Sequence, residues 1–337
     1  MRFETLDAEA GFALRAVTQA AQVCRRLEVE GSPSASKADH SPVTAADFAA
    51  QAVVGRLMQE AFPADGVVAE EDSRLILEDA SPDRLATVVE AVRRIFPEAT
   101  AGKVRQWIDR GGERADRYWA LDPLDGTKGF LRDGQYAVAL ALLEEGHVVL
   151  GAIACPKLGL AKCGSLDSQG TVAIAVRSCG AFAAPLGSDA FIRLSVSPVR
   201  EPKRARLLRS FEADHTDVTK LDQIAALLGV QAPPVRMDSQ AKSLLLAAGE
   251  GELIFRLISP RRPDYAERIW DQAAGALLVE EAGGRVTDLA GASLDFRAGR
   301  TLERNIGVLA SNGWLHTAAL EAIHQAGADR RPTGRAE

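Results

Sequence analysis

The order of apolar and polar positions along the chain follows two different periods. Apolar residues spaced three to four apart are typical of helices that bury one face. The helices predicted in this way are residues 6–29, 44–62, 81–96, 216–229, 240–249, 269–282 and 313–326. Short apolar runs between glycines or polar turns predict strands instead. The strands predicted in this way are residues 66–69, 118–121, 136–143, 147–155, 159–164, 171–176, 181–184, 192–196, 252–257, 285–288 and 305–310, with another beginning at Val235.

The order of these elements divides the chain into two parts. Hairpins are common in the first part, whereas strands and helices alternate in the second. We therefore predict an α+β lobe over residues 1–158 and an α/β lobe over residues 159–327. A length of 337 residues suits two such lobes. The polar residues 31–40 predict a loop, and the tail 328–337, rich in Arg, Pro and Gly, predicts disorder.

Composition and charge exclude several classes of function. The net charge of −6 gives no general attraction to nucleic acid polymers or anionic membranes, so an anionic ligand would need local cations or metal ions. The four cysteines have no Cys-x-x-Cys spacing, which favours a reducing compartment over a zinc site or disulfides. No apolar leader and no apolar run of membrane-spanning length are visible. We therefore expect a cytoplasmic protein.

Candidate chemistry begins with the segment Asp122-Pro123-Leu124-Asp125-Gly126-Thr127, at the end of a predicted strand. Pro123 fixes its own φ, so the chain turns and both carboxylates can converge, together with the Leu124 carbonyl. Two carboxylates this close repel each other unless a hard divalent cation lies between them. The amides of Gly126 and Thr127 could then receive a phosphate oxygen. An ordinary Asp-Pro/Asp-Gly turn with solvated carboxylates is the alternative, and it is the commoner one for an isolated motif.

Other acidic segments give the motif its context. They are Glu70-Glu71-Asp72 after a predicted strand, Thr44-Ala45-Ala46-Asp47 at a predicted helix start, and Trp270-Asp271-Gln272-Ala273-Ala274-Gly275. Each has a structural alternative: a solvated turn, a helix cap and a partner for a helix dipole. Together they supply enough oxygen ligands for about two or three magnesium ions.

In combination these segments resemble the inositol monophosphatase superfamily of magnesium-dependent, lithium-sensitive phosphomonoesterases, from roughly Asp7 to His316. The 3′(2′),5′-bisphosphate nucleotidase branch is the most similar. The segments that carry this second likeness are Thr127–Arg132, Ser41–Asp47, Leu294–Phe296 and Gly299–Leu302. The resemblance implies a layered αβαβα sandwich of the inositol monophosphatase/fructose-1,6-bisphosphatase type.

The resemblance also implies roles for individual residues. It implies these metal ligands for two or three Mg²⁺ ions: Glu70, Asp122, the Leu124 carbonyl, Asp125 and Asp271. Asp47 and Thr127 would orient and deprotonate the attacking water. Substrate contacts would come from Gly126, Thr127, Asp271, Ser239, Lys242 and Arg256, the last three at the phosphate that is not cleaved, and from His215 at the adenine. Without the resemblance, Lys242 and Arg256 could be surface charges and His215 a solvent-exposed loop residue.

The implied activity is removal of the 3′-phosphate of adenosine 3′,5′-bisphosphate, giving AMP and phosphate. The sulfated analogue 3′-phosphoadenylyl sulfate would be a second substrate, and the role would be clearance of a by-product of sulfate assimilation. The alternatives are an inositol monophosphatase or inositol polyphosphate 1-phosphatase, and a nucleotide or metal sensor without activity. Two features depart from the family pattern: Ala69 replaces a glycine, and residues 258–269 are longer than expected, so that Arg261 or Arg262 could reach a phosphate.

Overall fold

A computed structural model of the chain describes residues 5–31, 34–36, 42–78, 82–110, 115–211 and 216–332, with the backbone only at 34–36, 77–78 and 82–83. Most of the predicted helices are confirmed, with shifts of a few residues at their ends. The helices are α1 (Asp7–Glu30), α2 (Ala45–Ala61), α3 (Arg74–Glu78), α4 (Pro82–Arg93), α5 (Ala101–Ile108), α6 (Thr127–Leu131), α7 (Val218–Leu227), α8 (Ala241–Ala247), α9 (Ala273–Glu281) and α10 (His316–Gln325).

The strands form one large sheet and three small ones within the described residues. Their bounds are β1 (Ser34–Ser36), β2 (Pro42–Thr44), β3 (Gly66–Ala69), β4 (Arg117–Asp125), β5 (Ala137–Glu144), β6 (His147–Cys155), β7 (Thr171–Val176), β8 (Gly180–Pro185), β9 (Ile192–Arg193), β10 (Leu208–Arg209), β11 (Val235–Arg236), β12 (Leu253–Arg256), β13 (Arg285–Thr287) and β14 (Val308–Ser311). The large sheet runs β3-β4-β5-β6-β7-β8-β9, and β3 and β4 are its parallel pair. A second sheet has the order β12-β14-β13.

Alternation of side chains along the strands builds the layers. On β4, Trp119 and Leu121 pack with α1 and α2 on one face of the large sheet. Tyr118 and Ala120 pack with α8 and α9 on the other face. The second sheet continues the stack: Ile254 faces α8 and α9, and its neighbour Phe255 faces α7 and α10. The order of layers is therefore helix, sheet, helix, sheet, helix, as the resemblance implied.

Three local predictions are wrong. The predicted strand 159–164 contains a 3₁₀ turn at Ala161–Cys163. The predicted helix from residue 269 begins only at Ala273, since Ile269 and Trp270 are buried apolar residues that extend the apolar pattern ahead of the helix. In the predicted loop 31–40, Ser34–Ser36 pairs with Pro42–Thr44 as an antiparallel hairpin.

The expected boundary near residue 158 falls between β6 and β7, which are paired neighbours in the large sheet. The division into two lobes stays a prediction. In the tail, Ala328 is buried and Arg331 donates to the carbonyls of Pro263 and Tyr265, while residues 333–337 lie outside the described residues. None of the described helices is both long and apolar enough to cross a lipid bilayer.

Close packing of α2 against α5 gives a test of the fold. A Cβ added to Gly55 would lie 2.0 Å from the Trp107 carbonyl oxygen, which is backbone and cannot rotate away. Gly55→Ala should therefore lower the free energy of unfolding by roughly 1–3 kcal/mol, the usual cost of overpacking. Gly102 in α5 has open space around its Cα, so the matched variant Gly102→Ala should be neutral or slightly stabilising. Denaturant unfolding measures both, and equal stability of the two variants would contradict this packing.

Candidate active site

The parallel pairing of β3 and β4 brings the first acidic residues together. Ala69 lies opposite Leu121, and the next residue, Glu70, donates its backbone N–H to the Leu121 carbonyl at 3.2 Å. Both strands thus end at the same edge of the sheet. Glu70 follows β3, and Asp122 and Asp125 lie within the last four residues of β4.

The end of β4 is bent at the sequence motif. Pairing with β5 shifts in register between Asp122 and Asp125, and the buried Asp122 accepts the Leu124 N–H at 3.2 Å. Gly126 follows with a φ of 91°, a left-handed conformation that glycine adopts without strain. Asp125 then accepts the backbone N–H of Gln240 at 2.6 Å. This bond ties the motif to the segment just before α8.

Asp47 and Thr127 are in contact, as the resemblance implied. Asp47 is buried and belongs to the capping box of α2, in which one of its oxygens accepts from both the N–H and the hydroxyl of Thr44 at 2.7 Å. Its other oxygen accepts the Thr127 hydroxyl at 3.2 Å. That hydroxyl also lies 3.3 Å from the Leu124 carbonyl. The helix cap therefore fixes the orientation of the carboxylate that Thr127 meets.

One cleft of about 370 Å³ collects most of the predicted residues. Its walls contain the predicted residues Glu70, Asp125, Gly126, Thr127, Ser239, Lys242, Arg256 and Asp271. Apolar side chains add a second kind of wall to the same cleft, and these are Leu208, Phe211, Val218, Leu221 and Phe255. His215 lies outside the described residues. The cleft can hold a ligand that is highly charged at one part and apolar at another.

Glu70, Asp125 and Asp271, the acidic cluster hereafter, repel one another. Burial, followed by the charge of Asp125, raises the pKa of Asp271 well above its ordinary value. Burial also raises the pKa of Asp125, with a further contribution from Glu70, while Lys242 and Arg256 act in the opposite direction. In the described part of the chain, no group of three or more His, Cys, Asp or Glu side chains is already arranged closely enough to hold a metal ion. The chemistry of the cluster still fits a hard divalent cation, since its donors are all oxygens and its like charges need compensation.

Two cations face the acidic cluster. Lys242 is buried and donates to the Ser210 hydroxyl at 2.9 Å and to the Met237 carbonyl at 3.3 Å. Burial and the neighbouring charge of Arg256 lower the pKa of Lys242 to about 8. Arg256 lies 2.7 Å from Glu267 and 3.8 Å from Asp271. Ser239 adopts a φ of 66°, a strained value for a residue with a Cβ, where the chain turns into α8.

Sequence reasoning missed the residues that support the site. Glu267 gives no motif signal, since it is a common polar residue, and Gln240 lies in the matched segment Ser239–Lys242 without a role of its own. Arg300 lies in the Gly299–Leu302 segment that carried part of the resemblance, where it was given no role. It donates to the Ala69 carbonyl at 2.6 Å and its guanidinium lies 4.6 Å from the Trp270 ring centre. Arg300 thus joins the segments that carry Glu70 and Asp271.

The long segment 258–269 also contributes residues that support the site. Arg262 is exposed and stacks on the Tyr265 ring at 5.1 Å. Arg261 and Arg262 are both outside the walls of the cleft formed by the described residues, whereas Tyr265 of the same segment is part of them. The segment contributes to the site through Tyr265 and Glu267.

The chain matches a family model described as the inositol monophosphatase family over residues 4–328. A 3′(2′),5′-bisphosphate nucleotidase of Oryza sativa is 41% identical to it, over 95% of this chain and 94% of the relative. One of Schizosaccharomyces pombe is 38% identical, over 94% and 95%. Among solved structures, an inositol monophosphatase of Thermotoga maritima has a TM-score of 0.66 at 19% identity, over 95% of this chain and 98% of that one. This structural similarity confirms the predicted fold.

Removal of one charge from the acidic cluster tests whether it binds a cation. Asp125→Asn keeps an oxygen that can accept the Gln240 N–H and relieves repulsion, so without divalent cations the variant should melt at or above the wild-type temperature. Mg²⁺ should raise the melting temperature of the wild type, because a ligand that binds the folded state stabilises it, and this increase should be absent in the variant.

Asp288→Asn is the matched control. Asp288 is buried and accepts the backbone N–H groups of Ala290, Ala292 and Ile306 outside the cleft. This variant should melt at a lower temperature and keep the Mg²⁺ increase. An equal Mg²⁺ increase in Asp125→Asn and wild type would exclude Asp125 as a ligand.

Proposed function

Because the chain belongs to the inositol monophosphatase family, we propose that it is a 3′(2′),5′-bisphosphate nucleotidase that hydrolyses adenosine 3′,5′-bisphosphate to AMP and phosphate. The relatives named above support this choice over other activities of the family. The observation that carries the proposal is the shared cleft, in which the acidic cluster and Thr127 lie together with Lys242 and Arg256. Such a cleft serves a substrate with one phosphate to cleave and another to hold.

Hydrolysis is assigned to Asp47 and Thr127. The Thr127 hydroxyl donates to Asp47, so its lone pairs are available to accept a proton from a water molecule in the cleft. As that water attacks phosphorus, its proton passes to Thr127, whose own proton passes to Asp47. The bond from phosphorus to the ribose 3′-oxygen breaks, and this oxygen leaves with the electron pair and takes a proton from solvent water to become the 3′-hydroxyl of AMP. Thr44 keeps Asp47 aligned throughout, because it holds the other carboxylate oxygen.

We assign two or three Mg²⁺ ions to this site, with Glu70, Asp122, the Leu124 carbonyl, Asp125 and Asp271 as their ligands. When bound, the cations offset the carboxylate charges, lower the pKa of the attacking water and stabilise the leaving oxygen. Inhibition by Li⁺ is part of the same proposal. The amides of Gly126 and Thr127 are assigned to the phosphate that is cleaved, with Asp271 beside it.

Lys242, Arg256 and Ser239 are assigned to the phosphate that is retained. An arginine guanidinium can donate two parallel hydrogen bonds to two phosphate oxygens, and a lysine ammonium supplies a compact positive charge. The apolar walls, which include Phe211 and Leu221, suit the face of an adenine ring, and we assign His215 to its polar edge. The same contacts would accept 3′-phosphoadenylyl sulfate, and we therefore propose a role in sulfur metabolism. A cytoplasmic location is part of the same proposal.

A substrate panel tests this function. With Mg²⁺, phosphate release should be fastest from adenosine 3′,5′-bisphosphate or its 2′,5′ isomer, and inositol 1-phosphate should be slower by at least about a hundredfold in kcat/KM, since it leaves Lys242 and Arg256 without a phosphate. Faster turnover of inositol 1-phosphate or inositol 1,4-bisphosphate would overturn the nucleotidase proposal. Nucleotide binding without phosphate release would indicate a sensor.

The pH dependence of AMP binding tests the assignment of Lys242. AMP carries only the phosphate that is retained, and it needs the charged form of the lysine. Its affinity should therefore begin to fall as the pH rises past about 8, where the free protein loses this proton. Lys242→Arg stays charged over the same range, so its affinity should be nearly constant up to pH 9.5. Calorimetric titrations from pH 7 to 9.5 measure both, and a flat profile for the wild type would contradict the assignment.

A further inference from the structure

Arg256 lies between two carboxylates at unequal distances. Its Nη2 is 2.7 Å from Oε2 of Glu267 and 3.8 Å from Oδ2 of Asp271. The shorter distance is a close ion pair, whereas the longer one is a weaker electrostatic contact, because the attraction between charges falls with distance. In this arrangement the guanidinium is bound to a residue that none of the assignments above includes.

Glu267 is itself held in place. Its side chain is only 6% exposed, and the same Oε2 accepts the side-chain N–H of Gln272 at 2.8 Å. Its backbone carbonyl accepts the Leu302 N–H at 2.8 Å, which fixes the segment just before Asp271. A buried carboxylate with these partners is a rigid acceptor, so it determines where Arg256 can point.

We propose that Glu267 is a positioning residue that holds Arg256 away from Asp271, and so keeps Asp271 available to bind a divalent cation and Arg256 available to bind phosphate. This inference rests on the proposed function. If Glu267 were neutral, Asp271 would be the charged carboxylate closest to Arg256, which already lies 3.8 Å from it. An ion pair between them would compete with the cation, because a carboxylate oxygen bonded to a guanidinium is a poorer metal ligand.

Glu267→Gln tests the inference, since it removes the charge and keeps the shape. The readout is Mg²⁺ binding to the resting protein by calorimetry, without nucleotide. We expect affinity to fall by at least about tenfold, the scale seen for lost supporting partners of metal ligands. Asp264→Asn is the matched control, because it removes an exposed charge from the same segment. Its Mg²⁺ affinity should stay within about threefold of the wild type.

A double-mutant cycle with Arg256→Met separates positioning from a general effect of charge. In the Arg256→Met background, Glu267→Gln should weaken Mg²⁺ binding by less than about threefold, since there is no guanidinium to redirect. A full tenfold loss in that background would overturn the proposal. Unchanged Mg²⁺ affinity in Glu267→Gln alone would also overturn it, and would leave the proposed function intact.

Failure of the proposed function gives a different result. If the wild type binds no Mg²⁺, or binds it and releases no phosphate from the nucleotide, the nucleotidase proposal fails; absent Mg²⁺ binding also removes the positioning role. Should Glu267→Gln not fold, Glu267→Asp takes its place, because it keeps the charge and shortens the reach to Arg256. It should weaken Mg²⁺ binding by at least about threefold, and wild-type affinity would overturn the inference.

Discussion

Repulsion among buried carboxylates is the constraint on which the site depends. Glu70, Asp125 and Asp271 come from three distant parts of the chain and line one cleft, where burial and like charge raise the pKa values of Asp125 and Asp271. A fold retains such an arrangement only where something offsets the charge. In the resting chain Arg256 and Lys242 supply part of the compensation, and we propose that divalent cations supply the rest.

The fold holds these charges together through bonds that cross the sequence. Parallel pairing of β3 and β4 places Glu70 beside the end of β4, and the Gln240 N–H fixes Asp125. Arg300 connects the Ala69 carbonyl with the Trp270 ring and so links the segments that carry Glu70 and Asp271. Of these contacts, the Gln240 bond uses one carboxylate oxygen of Asp125, whereas the others act on the backbone or on neighbours of the acidic residues.

The sequence predicted the parts of this structure that have local signals. Apolar periodicity located most helices and strands, Thr44 and Asp47 marked a helix start, and the acidic motifs marked the cleft. The later start of α9 was missed because Ile269 and Trp270, which precede the helix, are apolar and buried and so continue its apolar pattern. Glu267 was missed for a different reason: its importance comes from a partner in space, Arg256, and a glutamate in a loop gives no sign of one. Supporting residues of this kind are visible only after the chain has folded.

In the proposed enzyme, one cleft binds both the phosphate that is cleaved and the phosphate that is retained. Comparison of kcat/KM for adenosine 3′,5′-bisphosphate and adenosine 3′-monophosphate tests this most directly, because the two substrates differ only in the retained phosphate. We predict a preference of at least about a hundredfold for the bisphosphate in the wild type, and a much smaller one in Arg256→Gln. Equal kcat/KM for the two substrates in the wild type would show that the cleft does not recognise a second phosphate.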